Sequence, residues 1–158
     1  QRQMCIRDRL DIGVYATSFA RYFLSSKPNV VITTADYFET GVDEQSGIIM
    51  KNQDGQMVVM ALTMRAKQPK RGVISGELGY IEINNYPRSN QATITYTKDG
   101  HQEVIECGDD KQGLQYEVID MQDYIINNLG EYELQLTRDV SSLLSQIRTQ
   151  WGMIYPFE

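Results

Sequence analysis

The chain is poor in the side chains that build metal centres and cross-linked scaffolds. Among 158 residues it holds one histidine, His101, and two cysteines, Cys5 and Cys107. Three such side chains complete neither the usual four-ligand zinc site nor a disulfide framework, so no metal is expected. Basic residues are also in deficit, 15 against 21 acidic, for a net charge of −6. With no Lys/Arg cluster to release counterions from a phosphate backbone, no nucleic-acid partner is expected. Long apolar runs are missing as well. None approaches the ~20 residues of a bilayer-spanning helix, so no membrane partner is expected. No apolar segment follows the basic N-terminal residues as it does in a secretory signal, and the expectation is a cytoplasmic protein. Prolines number only four while 41% of residues are hydrophobic, a balance that fits a folded globular chain of about one domain.

Motifs that announce a chemistry are absent too. The sequence contains no P-loop, no Gly-x-Ser-x-Gly, no His-Glu-x-x-His and no Gly-x-Gly-x-x-Gly. Gly72, Gly76 and Gly79 have the wrong spacing for a phosphate loop and sit where a hairpin is expected. His101 follows Asp99-Gly100 at a hairpin tip, the place of a solvated histidine. Cys107 precedes Gly108-Asp109-Asp110, and acidic surroundings disfavour the thiolate that a nucleophile needs.

The first nine residues stand apart. They show no apolar period and no turn chemistry. Met4-Cys5-Ile6-Arg7-Asp8 is the translation of ATG TGT ATA AGA GAC, a stretch of the transposon-end adapter used in sequencing libraries, and Gln3 and Arg9 fit the flanking half codons. Residues 1–9 are therefore read as adapter-derived and left out of the fold.

What is there begins at Asp11, which can cap a helix with apolar residues at Ile12, Ala16, Phe19, Ala20 and Phe23. Ser25-Ser26-Lys27-Pro28 ends it, because proline biases the residue before it away from helix. Strand-like runs follow: Val30–Ile32 leading to Tyr37, Gly47–Lys51, Gln56–Arg65, Gly72–Ser75, Tyr80–Ile83, Ala92–Thr97 and Gln102–Glu106. Asp54-Gly55 and Asp99-Gly100 each separate two runs, a strong hairpin signal, and Gly76 and Gly79 bracket a further reversal. Two helical stretches close the chain, about Leu114–Leu129 and about Thr137–Trp151. Thr137 and Asp139 open the second; Gly152 and Pro156 close it. The order predicts an α+β fold: an open, mostly antiparallel β-sheet with helices on one face.

Met57-Val58-Val59-Met60-Ala61-Leu62 is apolar at every position, as a strand covered on both faces would be. Helices can cover one face. The other calls for a second subunit or domain, or for a long loop over a central strand.

One pair of residues could move a proton. Asp11 and Tyr15 lie one helical turn apart and share a face. A phenol beside a carboxylate can handle the proton of an alcohol under oxidation. A phenol ordinarily titrates near ~10, so the role calls for a neighbouring cation. The nearest in sequence, Arg21, is more than a turn away. An N-cap and a core-edge aromatic account for the two residues more simply, and on the residues alone that reading is preferred to proton transfer.

Five stretches, in order, resemble one family. Leu10-Asp11-Ile12-Gly13-Val14-Tyr15 resembles the Asp-Ile-Gly-x-His/Tyr element that opens the main helix of the C-terminal domain in Gfo/Idh/MocA oxidoreductases. Glu39-Thr40-Gly41-Val42-Asp43-Glu44 resembles their Thr-Gly-Val-Asp stretch, and Ile74–Ile83 their Gly-x-x-Gly hairpin. Gln115-Tyr116-Glu117 matches the opening of the late helix; Trp151-Gly152 with Tyr155-Pro156 matches the end of the last one. Tyrosine at position 15 is the mark of the dihydrodiol and D-xylose dehydrogenase branch. The resemblance implies a substrate-binding and oligomerisation domain over residues 10–158, with a Rossmann domain missing from its N-terminal side. It implies hydride transfer between NAD or NADP, held mainly by that other domain, and a sugar or cyclic alcohol. In that reaction Tyr15 moves the proton and Asp11 orients it, while the missing cation is a lysine of the upstream domain. It further implies a homo-oligomer joined through the open face of the sheet, and a fragment inactive alone. A non-catalytic ligand-sensing or dimerisation module of the same fold is the alternative.

Overall fold

The computed structural model describes residues 12–39, 41–109, 111, 113–127 and 131–154. Expectations placed on residues 1–9, Asp11, Thr40, Asp110, Leu129 and Tyr155-Pro156 lie outside them. The elements run α1 (Val14–Phe23), β1 (Val30–Tyr37), β2 (Asp43–Lys51), β3 (Met57–Thr63), β4 (Arg71–Gly76), β5 (Gly79–Asn84), β6 (Gln91–Tyr96), β7 (Gln102–Glu106), α2 (Gly113–Asn127) and α3 (Glu131–Gln150). Among the described residues every strand pairing is antiparallel. The α+β class and its antiparallel strands are thus as expected. The strands divide into two ladders, β1-β2-β3 and β4-β5-β6-β7. The described residues accordingly fall into two compact units, one from residues up to 68 together with those from 132 on, the other from residues between 69 and 131.

In the first unit α1 and α3 cover one face of the three-stranded sheet. Ala16 and Ala20 of α1 and Leu143 and Ile147 of α3 form one buried cluster with Ile48, Met50 and Leu62 of the strands. Small residues on α1 let its backbone lie close to the sheet. Ile48, Met50, Leu143 and Ile147 are fully buried, each contributing about 1.5–3 kcal/mol. The Asp-Gly turn is as read: Gly55 has φ +82°, in the left-handed region that glycine supplies cheaply. Trp151 Nε1 donates to Thr33 Oγ1 at 3.0 Å and Gln150 Nε2 to the Val31 carbonyl at 2.7 Å, fixing the end of α3 to β1. Gly152, at φ +63°, closes α3 as expected.

Two expectations change. The last helix begins at Glu131 rather than near Thr137, and Asp139 is no cap: it is a buried mid-helix residue paired with α1. The Thr-x-Asp pattern imitates a helix start because the same short polar side chains serve caps and buried pairs. The apolar run of β3 has only one face covered in this chain. Val58, Met60 and Leu62 turn toward the helices, while Met57 and Val59 on the other face are exposed.

In the second unit, Gly76 pairs with Gly79 across a two-residue turn. A Cβ on Gly79 would stand 2.3 Å from the Thr95 carbonyl oxygen, so only glycine fits there. No side chain of α2 is buried.

Candidate functional site

Helix α1 carries the residue singled out for proton transfer. Its buried face, Ala16, Thr17, Ala20 and Arg21, is set against the core. Ile12, just before the helix, packs against the same cluster. Tyr15 points the other way and is half exposed, on the first turn of a helix held by that packing. The residue at the helix start is Gly13, at φ −67°, with no side chain to cap the free N–H groups. Asp11 lies outside the described residues, so its distance to Tyr15 is not part of the geometry.

Arg21 is committed elsewhere. Its Nε donates to Asp139 Oδ2 at 2.8 Å and its Nη1 to the Leu24 carbonyl at 2.9 Å. Gln135 Nε2 donates to the other Asp139 oxygen, also at 2.9 Å. Both charged side chains are more than nine-tenths buried. This network escaped the sequence reading, and one signal could have found it. Arg21 falls on the apolar stripe of α1, between Ala20 and Leu24, where an unpaired charge would be prohibitive. Arg21 is therefore not available as the cation that proton transfer by Tyr15 would need.

The remaining sequence candidates stay apart from Tyr15 in role. His101 sits at the β6–β7 hairpin tip, its backbone N–H bonded to Asp99 Oδ1 at 2.9 Å and its ring stacked on Tyr96. Cys107 is free and exposed. Among the described residues no three His, Cys, Asp or Glu side chains converge on a metal position.

A polar cluster ties the end of α1 to the β2–β3 hairpin. Ser25 Oγ and Ser26 Oγ donate to Asp54 Oδ2 at 2.6 and 2.7 Å, and Asn52 Nδ2 donates to Gln56 Oε1 at 2.7 Å. The two hydroxyl donors hold the Asp54 carboxyl below its ordinary range. Every member is used in shaping the turn, and the cluster reads as structural.

The chain offers no cradle for a dinucleotide among its described residues. Gly55, Gly76, Gly79 and Gly100 belong to hairpin turns, and Gly152 ends a helix. What α1 does offer is a rigidly held, solvent-facing phenol at a helix start, able to meet an alcohol presented from outside the unit.

Comparisons with known proteins bear out the resemblance. Residues 9–82 match the family described as the GFO/IDH/MocA C-terminal domain. Trans-1,2-dihydrobenzene-1,2-diol dehydrogenase of Xenopus laevis is 26% identical over 156 residues, covering 93% of this chain and 47% of that protein. D-xylose 1-dehydrogenase (NADP(+)) 2 of Haloferax volcanii is 28% identical over 94 residues, 58% of this chain and 29% of that protein. Among solved structures, UDP-N-acetylglucosamine 3-dehydrogenase from Acidithiobacillus ferrooxidans superposes with a TM-score of 0.77 at 16% identity. It takes in 94% of this chain and 48% of its own. A 3-ketoreductase from Actinomadura kijaniata, in complex with TDP-benzene and NADP, gives 0.72 at 17% identity over 90% of this chain and 46% of its own. The fold is shared with these oxidoreductases. The chain spans about half the length of the dihydrodiol dehydrogenase, and its counterparts there lie in one part of a larger enzyme.

Proposed function

We propose that this chain is the substrate-side half of an NAD(P)-dependent oxidoreductase acting on a CH–OH group of a sugar or a dihydrodiol-type cyclic alcohol. The observation that carries the reading is Tyr15. It is an exposed phenol on the first turn of a helix whose opposite face is locked into the core. It stands in the Asp-Ile-Gly-x-Tyr element, within the segment that matches the family domain. The similar proteins named above are dehydrogenases and a ketoreductase.

In this reading the Tyr15 phenol accepts the hydroxyl proton as the alcohol is oxidised and returns it on reduction. Asp11, four residues earlier in sequence, orients the hydroxyl. The residues described here do not fit a dinucleotide, so a domain preceding this one holds NAD or NADP, which supplies the hydride acceptor when bound. The same upstream domain brings the cation that Arg21 cannot provide.

The first nine residues are adapter-derived in this account, and the domain is counted from residue 10 to 158. The protein works in the cytoplasm, where a free, exposed Cys107 stays reduced, and it needs neither nucleic acid nor membrane. It self-associates through the open face of the three-stranded sheet, where Ile32, Ile49, Met57 and Val59 are exposed.

Two experiments test the proposal. A long read through the source locus, upstream of the codon for Leu10, is expected to encode a strand–Gly-x-Gly-x-x-Gly–helix unit and a lysine near its end. A start codon and promoter at Met4 would contradict it. Fluorescence titration of the 158-residue chain with NADPH is expected to show no saturable binding, and a tight, saturable signal would overturn the division of labour.

A further inference from the structure

The sequence holds two Asp-Gly pairs, Asp54-Gly55 and Asp99-Gly100, and the fold sets both in exposed hairpin turns. Such a pair can close a ring on itself. The glycine nitrogen attacks the Cγ of the aspartic acid before it: the N–Cγ bond forms, the Cγ–OH bond breaks, and one water leaves. Water then opens the resulting succinimide at either carbonyl. One opening restores aspartate; the other leaves isoaspartate, whose backbone runs through the side-chain carbon. No oxidant or cofactor takes part. Glycine favours the attack because no Cβ screens its nitrogen. Two further conditions apply: the departing oxygen must belong to the neutral acid, and the carboxyl must be held near the nitrogen rather than drawn elsewhere.

The two turns are matched on the glycine side. Gly55 has φ +82° and Gly100 φ +72°, and a Cβ on either would meet nothing within 4 Å. Each nitrogen donates to a carbonyl of its own turn, Gly55 to Asn52 at 3.2 Å and Gly100 to Tyr96 at 2.9 Å. The carboxyls differ. Asp54 is held from outside its hairpin, where Ser25 Oγ and Ser26 Oγ both donate to its Oδ2. Those bonds anchor the side chain to the segment after α1 and favour its ionised form. Asp99 has neither restraint. Its one bond lies within its own turn: the His101 N–H donates to Oδ1 at 2.9 Å, which curls the carboxyl back over the Gly100 peptide. Its other oxygen has no partner among the described residues.

We infer that Asp99 is a site of spontaneous isomerisation to isoaspartate, and that Asp54, in the same dipeptide, is kept from it by the two serines. The change lengthens the link between β6 and β7 by one backbone carbon. The bonds that close this tip depend on the length of that link: Gly100 N–H to the Tyr96 carbonyl, and Tyr96 N–H to the His101 carbonyl. So does the stacking of His101 on Tyr96. The alteration therefore falls on the end of the four-stranded sheet. The β2–β3 turn, tied to the end of the helix that carries Tyr15, is spared.

The test ages the 158-residue chain at neutral pH and body temperature in heavy-oxygen water. Each ring opening takes up one labelled oxygen, so closures that return to aspartate are counted as well. Electron-transfer fragmentation of the peptides then separates isoaspartate from aspartate at each position. In the folded chain, isoaspartate is expected to accumulate about tenfold faster at residue 99 than at residue 54. In chain unfolded by guanidinium the two rates are expected to converge. Ser25→Ala with Ser26→Ala is expected to raise residue 54 to the rate of residue 99 and to leave residue 99 unchanged. Either serine change alone retains one donor and is expected to give an intermediate rate. Equal accumulation at 54 and 99 in the folded chain would overturn the inference. So would a rate at 99 that rises about tenfold on unfolding, because the His101 bond would then protect the carboxyl instead of presenting it. Serine variants that leave residue 54 as stable as before would overturn the part given to Ser25 and Ser26.

Discussion

Replacing Asp139 by alanine should damage the first unit more than any exposed charge change can. The Arg21–Asp139 pair has its charged atoms 2.8 Å apart, with both side chains at least nine-tenths buried. At an effective dielectric of ~20 the attraction is about 6 kcal/mol, most of it offset by the cost of dehydrating both ions. Alanine at 139 removes the attraction and leaves the dehydration of Arg21 uncompensated, apart from the bond to the Leu24 carbonyl. Breaking one side of a buried pair costs about 3–5 kcal/mol. Gln135 loses its acceptor as well. The assay is urea denaturation followed by the fluorescence of Trp151, the only tryptophan in the sequence, which reports the first unit through its bond to Thr33. With a slope of about 2 kcal/mol per molar urea, the midpoint should fall by roughly 2 M. Arg65→Ala, in the same unit, is the control. It breaks an ion pair with Glu44 whose side chains are 72% and 16% exposed and should cost less than about 1 kcal/mol. The reasoning also requires that Arg21→Met with Asp139→Leu recover most of the loss, since an apolar pair of similar volume needs no dehydration. An Asp139→Ala midpoint indistinguishable from that of Arg65→Ala would refute it.

Further outcomes follow from the same geometry. Asp54 should titrate below 3.8 by NMR, because Ser25 and Ser26 donate to its charged form. A folded value below the unfolded one means that the carboxylate supports this turn above pH ~3.8, and the support is lost as pH falls through the depressed value. Ser25→Ala with Ser26→Ala should bring the titration back toward 3.8; no movement would mean another cause. Gly79→Ala should destabilise the four-stranded sheet by about 1–3 kcal/mol, its methyl meeting the Thr95 carbonyl. Hydrogen exchange of the amides in β5 and β6 would register it, and unchanged protection would contradict the close approach. Leu143→Ala should cost about 2.7–5 kcal/mol in the urea assay, since its side chain is fully buried among α1 and β2 residues.

Much of this fold could be read from local chemistry. The spacing from Ile12 to Phe23, the Asp-Gly pairs and Gly76/Gly79 placed α1 and the hairpin turns within a few residues, because each signal acts over a single turn. Partition of the strands into two ladders was not readable: β3 and β4 are both plausible sheet strands, and whether they pair depends on long-range packing. The apolar run of β3 carried no mark of which residues would face the helices, since its two faces are equally apolar. Asp139 misled for a related reason, its partner Arg21 lying 118 residues away in sequence. At the site, a spacing of four residues suggested that Asp11 and Tyr15 share a face and left their role open; the structure contributes the exposure of Tyr15 and the commitment of Arg21 to the core.

The most direct test of the functional reading is steady-state oxidation of a dihydrodiol or an aldose by the full-length protein from the source locus, with Tyr15 intact and as Tyr15→Phe. The account predicts a kcat lower by about 10²–10⁴-fold in the variant, KM nearly unchanged, and loss of the limb of the pH profile that belongs to the proton acceptor. Equal kcat values with coincident pH profiles would contradict it and would leave this domain a scaffold without a chemical role.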